Sequence, residues 1–79
     1  MPKTALNKHS YAMKLRDVLV HRARQYIHDQ GMTQAAAAQA MGVSQPRISD
    51  LMRGTSEKFS LDMLVTMLER VDIRAQITV

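Results

Sequence analysis

A short polar segment near the middle of the chain, residues 44–53, has side chains suited to hydrogen bonding with base pairs. An arginine can bond O6 and N7 of guanine through two N–H groups, and a glutamine can bond N6 and N7 of adenine in the same way. If the segment is helical, its polar side chains share the face opposite its apolar residues. That polar face would carry Gln45, Arg47, Ser49, Asp50 and Arg53.

Residues 33–54 are predicted to form two short helices joined by a tight turn. Thr33 and Ser44 are suited to capping the two helix starts, because their hydroxyls accept hydrogen bonds from first-turn N–H groups. Gly42 suits the left-handed conformation that ends a helix, and Pro46 falls in a first turn, where its missing N–H costs nothing. The predicted buried positions are Ala37, Ala38, Met41, Val43, Ile48, Leu51 and Met52.

The motif residues of this segment are Thr33-Gln34, Ala38, Gly42-Val43-Ser44, Ile48-Ser49, and Leu51 followed by Gly54. In these residues the segment resembles the helix-turn-helix of the lambda-repressor and Cro family, the XRE-type regulators. The resemblance implies an all-α, lambda-repressor-like bundle of about four or five helices that binds double-stranded DNA. The alternative is a helical hairpin with no nucleic-acid role, which would not need this polar face.

The predicted DNA-binding residues are Gln34, Ser44, Gln45, Pro46, Arg47, Ser49, Asp50 and Arg53. Gln34 and Ser44 stand at the two helix starts, where side chains and free N–H groups can contact phosphates. Gln45 and Arg47 are expected to contact base edges.

The other polar residues of the second motif helix have weaker assignments. Ser49 and Arg53 lie further along the helix, where they could contact the DNA backbone. Asp50 is unfavourable beside phosphates unless it accepts from cytosine or pairs with Arg47 or Arg53. The pair within the helix is favoured, because it would orient an arginine.

The length and composition predict one small domain with a basic first half. The chain has 79 residues, a net charge of +4 and no cysteine. Residues 1–30 carry six lysines and arginines against two aspartates, whereas residues 61–79 carry two against three acidic residues. This distribution suits a polyanionic partner for the N-terminal and middle parts. No apolar run reaches membrane-spanning length and the N-terminus is not a signal peptide, so we expect a cytoplasmic protein.

The motif is expected to lie within a helical domain spanning residues 10–71, after a loose arm at residues 1–9. A first helix is predicted from about Ser10 to Gln30, with Ser10 as a possible cap and Gly31 at its end. Its apolar stripe is predicted to comprise Leu15, Val18, Leu19, Arg22, Ala23, Tyr26 and Ile27. Arg16 and Arg24 lie off this stripe, where they could reach phosphates or only be solvated.

A last helix is predicted at residues 61–71, after a loop at 54–60. Ser60 would cap this helix, and Phe59 would pack its entry against the core. The core-facing residues are expected to be Leu61, Leu64, Val65, Leu68 and Val71, with Met63 and Met67 on a flank.

The C-terminal residues 72–79 alternate between apolar and polar types, which predicts a β-strand. A strand without a partner in its own chain is unstable, so we expect it to pair with the same strand of a second copy across a two-fold axis. The predicted dimer interface comprises Ile73, Ala75, Ile77 and Val79. The alternatives are a disordered tail or pairing with the N-terminal arm of the same chain.

The order of segments along the whole chain is similar to that of HigA-type antitoxins. The resembling segments are Gly-Met-Thr-Gln at 31–34, Ser-Gln-Pro-Arg-Ile-Ser-Asp-Leu at 44–51, Phe-Ser-Leu at 59–61, and the isoleucine-rich end. The resemblance implies repression of the protein's own operon and a RelE/HigB-like toxin as a possible partner. The short N-terminal arm departs from the pattern, because it leaves few residues to wrap a toxin. The alternative is a protein–protein adaptor of the same fold that neutralises a toxin without binding DNA.

The sequence argues against enzyme and metal functions. It has no Ser/His/Asp spacing for nucleophilic catalysis and no glycine loop that could hold a phosphate, so no cofactor is expected. His21 and His28 are seven residues apart, about 10 Å along a helix, which is too far to share one metal ion. An RNA-binding domain would need exposed aromatic residues, and the chain has only three aromatics.

Overall fold

The computed structural model describes the backbone of residues 8–73 and the side chains of residues 14–73. This part of the chain forms four α-helices and one 3-10 turn. They are α1 (Lys8–Asp29), α2 (Gln34–Met41), α3 (Gln45–Met52), the 3-10 turn (Ser56–Lys58) and α4 (Leu61–Arg70). Residues 8–73 contain no strand, in agreement with the predicted helical bundle.

Helix α1 begins earlier than the sequence predicts. Its first residue is Lys8, so residues 8 and 9 belong to the helix and not to the predicted arm. The prediction that Ser10 caps α1 is wrong, because Ser10 lies inside the first turn. The other arm residues, 1–7, lie outside the described part of the chain.

The buried face of α1 differs in part from the predicted stripe. Leu19, Ala23 and Ile27 are buried as predicted. Val18, however, is 60% exposed, and Val20, which was absent from the predicted stripe, is 3% exposed. Helix α1 packs mainly against α4, with smaller contacts to the 3-10 turn and α3. The side of α1 that faces these neighbours is buried, so the burial of each α1 residue depends on contacts with residues far away in the sequence.

Helices α2 and α3 form the predicted pair with the predicted caps. Thr33 Oγ1 accepts from the N–H of Ala36 at 3.0 Å, and Ser44 Oγ accepts from the N–H of Arg47 at 3.3 Å. Gly42 ends α2 with a φ of +73°, a left-handed conformation that glycine adopts without strain. The buried residues of the pair are Ala37, Ala38, Met41, Ile48 and Leu51, while Val43 and Met52 are half-buried.

Helix α4 completes the core. Ser60 caps its start by accepting from the N–H of Met63 at 3.1 Å, and Phe59 is only 1% exposed, so both predictions are confirmed. The prediction that Met67 lies on a flank is wrong, because Met67 is 1% exposed and packs in the core beside Leu64 and Leu68. A flexible, unbranched methionine can fill irregular space that a branched side chain would leave empty.

The end of α4 is closed by residues that the sequence assigns to the strand. Asp72 has a φ of +63° and donates its N–H to the carbonyl of Glu69 at 3.0 Å. The N–H of Ile73 donates to the carbonyl of Leu68 at 2.9 Å, which completes a Schellman motif. Ile73 is also partly buried against the core of its own chain.

The other predicted interface residues, Ala75, Ile77 and Val79, lie outside the described residues. The strand and the dimer therefore stay predictions.

Candidate nucleic-acid interface

The exposed side of α3 is polar and continuous with the start of α2. Gln45, Ser49 and Arg53 are four residues apart and share one side of the helix. Gln45 and Arg53 are exposed, and Ser49 is half-buried between them. Gln34, Gln45, Pro46 and Ser49 line one shallow hollow between α2 and α3. We call Gln34, Gln45, Pro46, Ser49 and Arg53 the α3 surface.

The opposite side of α3 fixes the position of this surface. Ile48 and Leu51 are fully buried, and the Ser44 cap holds the first turn in a defined conformation. Since buried side chains in a close-packed core have little freedom, the α3 surface is carried by a rigid element. The α3 surface can therefore bind a rigid partner without the entropic cost of ordering a flexible segment.

Asp50 pairs within α3, as the sequence predicts, and its partner is Arg53. Nη2 of Arg53 donates to Oδ1 of Asp50 at 2.6 Å, while Nη1 of Arg53 donates to Oγ of Ser49 at 3.2 Å. Nζ of Lys58 lies 3.7 Å from the same Asp50 oxygen. The carboxylate therefore has two cations beside it, which offsets its repulsion of a polyanion.

Arg47 is turned away from the α3 surface. Its Nη1 donates to the carbonyl of Lys58 at 3.4 Å, and its guanidinium carbon lies 5.7 Å from the centre of the Phe59 ring. The residue is half-buried against the segment between α3 and α4. A short-range pattern gives no sign of this contact, because it joins residues eleven or more positions apart.

A cluster of metal-binding side chains and a helix that could span a membrane are two further features, and neither is found in the described residues. No group of three or more histidine, cysteine, aspartate or glutamate residues among them could hold a metal ion. None of the helices in the described range is long and apolar enough to cross a membrane.

Comparison with known families agrees with the geometry of α2 and α3. A family model described as a helix-turn-helix domain matches residues 7–79, nearly the whole chain. The chain belongs to the helix-turn-helix domain family. In this helix-turn-helix protein, α2 is the first motif helix and α3 is the second, which in such domains enters the major groove. Membership of the family therefore indicates a DNA-binding regulator. No curated protein matches the chain.

The structure of this helix-turn-helix protein divides the eight predicted DNA-binding residues. Five of them form the α3 surface, and Ser44 is exposed at the start of the same helix. The other two, Arg47 and Asp50, lie towards the 3-10 turn and contact Lys58. Sequence reasoning did not assign any role to Lys58 in the site.

Proposed function

We propose that this helix-turn-helix protein is a sequence-specific DNA-binding transcriptional repressor. The observation that supports this most is the α3 surface, a rigid and exposed polar helix side continuous with the start of α2. Its glutamine and serine side chains can donate to and accept from base edges, which differ between base pairs in the major groove.

The proposed contacts follow the position of each side chain. Gln45 is exposed in the first turn of α3 and would contact base edges, with Pro46 beside it against the groove. Gln34 and Ser44 would contact phosphates that border the groove. Arg53 is 64% exposed in its side chain and would reach the backbone at the far end of the helix.

Arg47 is proposed as a second base-contacting residue, at a cost. It must leave the carbonyl of Lys58 and the ring of Phe59 to reach a guanine. A cation beside an aromatic ring contributes about 0.5–1 kcal/mol at exposed sites and about 2 kcal/mol when desolvated, and a good bidentate pair with guanine gives about 1–3 kcal/mol of discrimination against other bases. The exchange would thus be most favourable when guanine is present at that position.

We further propose that the protein acts as a homodimer on a palindromic operator, with half-sites about one helical turn apart. Pairing of residues 74–79 across a two-fold axis would supply the interface. Because Ile73 closes α4, a truncation after Ile73 tests this pairing without damaging the helix end. A shortened chain that remains a dimer by light scattering would rule out the strand as the interface.

A role as the antitoxin of a toxin–antitoxin pair rests on the resemblance to HigA-type proteins. The toxin would be a RelE/HigB-like ribonuclease held by a surface other than α3. Affinity purification of the full chain from its native cell tests this role. We expect a basic nuclease to co-purify, and purification of the chain without one would argue for a stand-alone repressor.

Selection of bound sites from random double-stranded DNA is the experiment that tests the proposed function. We expect enrichment of an inverted repeat and an affinity that falls steeply as salt increases. A protein that enriches no sequence and shows no salt-dependent shift would instead fit the adaptor of the same fold, which binds a partner protein without DNA.

A further inference from the structure

A second hollow lies beside the end of α3, on the side of α1. It is lined by His21, Arg24, Gln25, His28 and Met52. The four α1 residues follow the i, i+3, i+4, i+7 pattern, so they form one strip along that helix. Met52 is the last residue of α3, and the exposed Arg53 of the α3 surface follows it directly. The hollow thus adjoins the proposed DNA-binding face.

Arg24 is the one permanently charged residue that lines this hollow. Its Nε is buried and has no hydrogen-bond partner among the described residues. Its Nη1 lies only 3.2 Å from the position that a Cβ on Gly54 would occupy, so the guanidinium packs against the turn that follows α3. The buried Nε cannot reach a ligand, but the Nη groups at the end of this half-buried side chain can donate to an oxygen that enters the hollow.

The charge of the hollow favours an anion. No acidic residue lines it, while Arg24 is permanently charged and the two histidines can donate hydrogen bonds. The carboxylate of Asp29 lies beside the hollow and is bonded by two of its lining residues: Nε2 of Gln25 donates to its Oδ1 at 2.9 Å, and Nδ1 of His28 lies 3.5 Å away. Those two contacts lower the pKa of the Asp29 carboxyl. The end of the hollow formed by Arg24 and His21 is the part left for an anion.

We propose that the hollow of His21, Arg24, Gln25 and His28 binds a DNA phosphate flanking the groove that α3 enters. This inference rests on the proposed function, since a phosphate reaches the hollow only when α3 lies on DNA. The Nη groups of Arg24 would donate to one phosphate oxygen and the His21 ring to another, since Nε of Arg24 is buried. Gln25 and His28 already contact Asp29. The hollow adds affinity for any sequence, because a phosphate contact carries no base information.

The test compares two variants that remove the same charge from the same helix. Arg24→Gln removes the donor of the hollow, whereas Arg22→Gln removes an exposed arginine that does not line it. For Arg24→Gln we expect the slope of log affinity against log salt to fall by about 0.9, with equal loss on selected and unrelated duplexes. For Arg22→Gln we expect a change of less than about 0.3 in the slope, because no specific phosphate contact is lost.

A second variant, at an exposed position, tests the inference even if Arg24→Gln does not fold. His21 is exposed, so His21→Glu should fold normally while placing a carboxylate beside Arg24 that competes with phosphate. Gln39→Glu is its control, because Gln39 is exposed on α2 outside the hollow and the added charge is the same. We expect native thermal unfolding for both and a reduced salt slope for His21→Glu alone.

A direct readout is the NMR signal of the Arg24 Nε–H during titration with a selected duplex. We expect that signal to shift on addition of duplex and to stay in place on addition of polyglutamate. A shift with polyglutamate alone would overturn the inference in favour of an acidic protein partner. If the wild type binds DNA but Arg24→Gln behaves like Arg22→Gln, the inference fails alone. If the wild type binds no duplex, the proposed function fails.

Discussion

The guanidinium of Arg47 lies 5.7 Å from the centre of the Phe59 ring and donates to the carbonyl of Lys58, which precedes that ring in sequence. This contact joins the first turn of α3 to the segment that enters α4. Phe59 is buried, so the contact is anchored at its other end by the core. Arg47 therefore contributes to the fold through this contact, and its proposed role on DNA would require the contact to break.

Replacing Arg47 by alanine should affect both roles. We expect a loss of roughly 1–3 kcal/mol in operator binding with relaxed preference at one base pair, and a loss of about 0.5–1 kcal/mol in stability. Binding to duplexes substituted at each position measures the first effect, and urea unfolding measures the second. Lost stability with unchanged operator affinity would assign Arg47 to the fold alone.

Gln45 should be a base-contacting residue, and Gln39 offers a matched control. Both are exposed glutamines, but Gln39 lies on α2 outside the α3 surface. We expect Gln45→Ala to weaken binding by about 1–3 kcal/mol on the selected site and much less on unrelated DNA. Gln39→Ala should leave both affinities unchanged. Equal effects of the two variants in a fluorescence anisotropy titration would remove Gln45 from the interface.

The caps of α3 and α4 separate stability from DNA binding. Ser44 and Ser60 each accept one N–H of the turn that they cap, at 3.3 and 3.1 Å. Each change to alanine should cost about 0.5–2 kcal/mol of folding free energy, because one N–H loses its acceptor. Only Ser44→Ala should also weaken operator binding, since Ser44 alone borders the α3 surface. An equal loss of affinity in both variants would show that stability explains the effect.

Removing the charge of Asp50 should strengthen nonspecific DNA binding. In the free protein this carboxylate pairs with Arg53 and lies close to Lys58, so Asp50→Asn would remove one negative charge and leave both cations available to phosphates. We expect several-fold higher affinity for unrelated DNA, with a salt slope steeper by up to about 1, and a stability loss of about 0–1 kcal/mol. Asp62→Asn, an exposed change of equal charge on α4, is the control. Weaker binding by Asp50→Asn would mean that the pair orients Arg53 for its contact.

Close packing of α2 should make its buried alanines intolerant of bulk. Ala37 is fully buried, whereas Ala36 is exposed one residue earlier on the same helix. We expect Ala37→Leu to cost about 1–3 kcal/mol of folding free energy, and Ala36→Leu to change it by less than about 0.5 kcal/mol. Thermal unfolding of the pair measures the difference. Comparable unfolding temperatures would show that α2 can move to accept the larger side chain.

The sequence correctly predicts the features that depend on residues only a few positions apart in the chain. Thr33, Ser44 and Ser60 each bond an N–H three residues ahead, so the local pattern is sufficient to assign the caps. The end of α2 at Gly42 is also predictable from local sequence, because glycine is the residue that most readily adopts the left-handed conformation there. Most of the motif's buried positions also follow from helical spacing, because both motif helices are short and each has one apolar side.

The features that the sequence misses depend on long-range packing. The exposure of Val18 and the burial of Val20 depend on how α1 lies against α4, which no local pattern specifies. The burial of Met67 has the same origin. The contact of Arg47 with the segment before α4 requires the 3-10 turn at 56–58, whose sequence has no strong turn signal.

Gly42 has a φ of +73°, and a Cβ at this position would lie 2.6 Å from Nε of Arg70, the last residue of α4. Every other amino acid would therefore strain the backbone and displace that arginine. A genetic screen for failed repression should recover changes at position 42 as readily as changes on the α3 surface, although the residue would touch no nucleotide. If the DNA-binding surface were inferred from mutant phenotypes alone, it would then wrongly include the turn between α2 and α3.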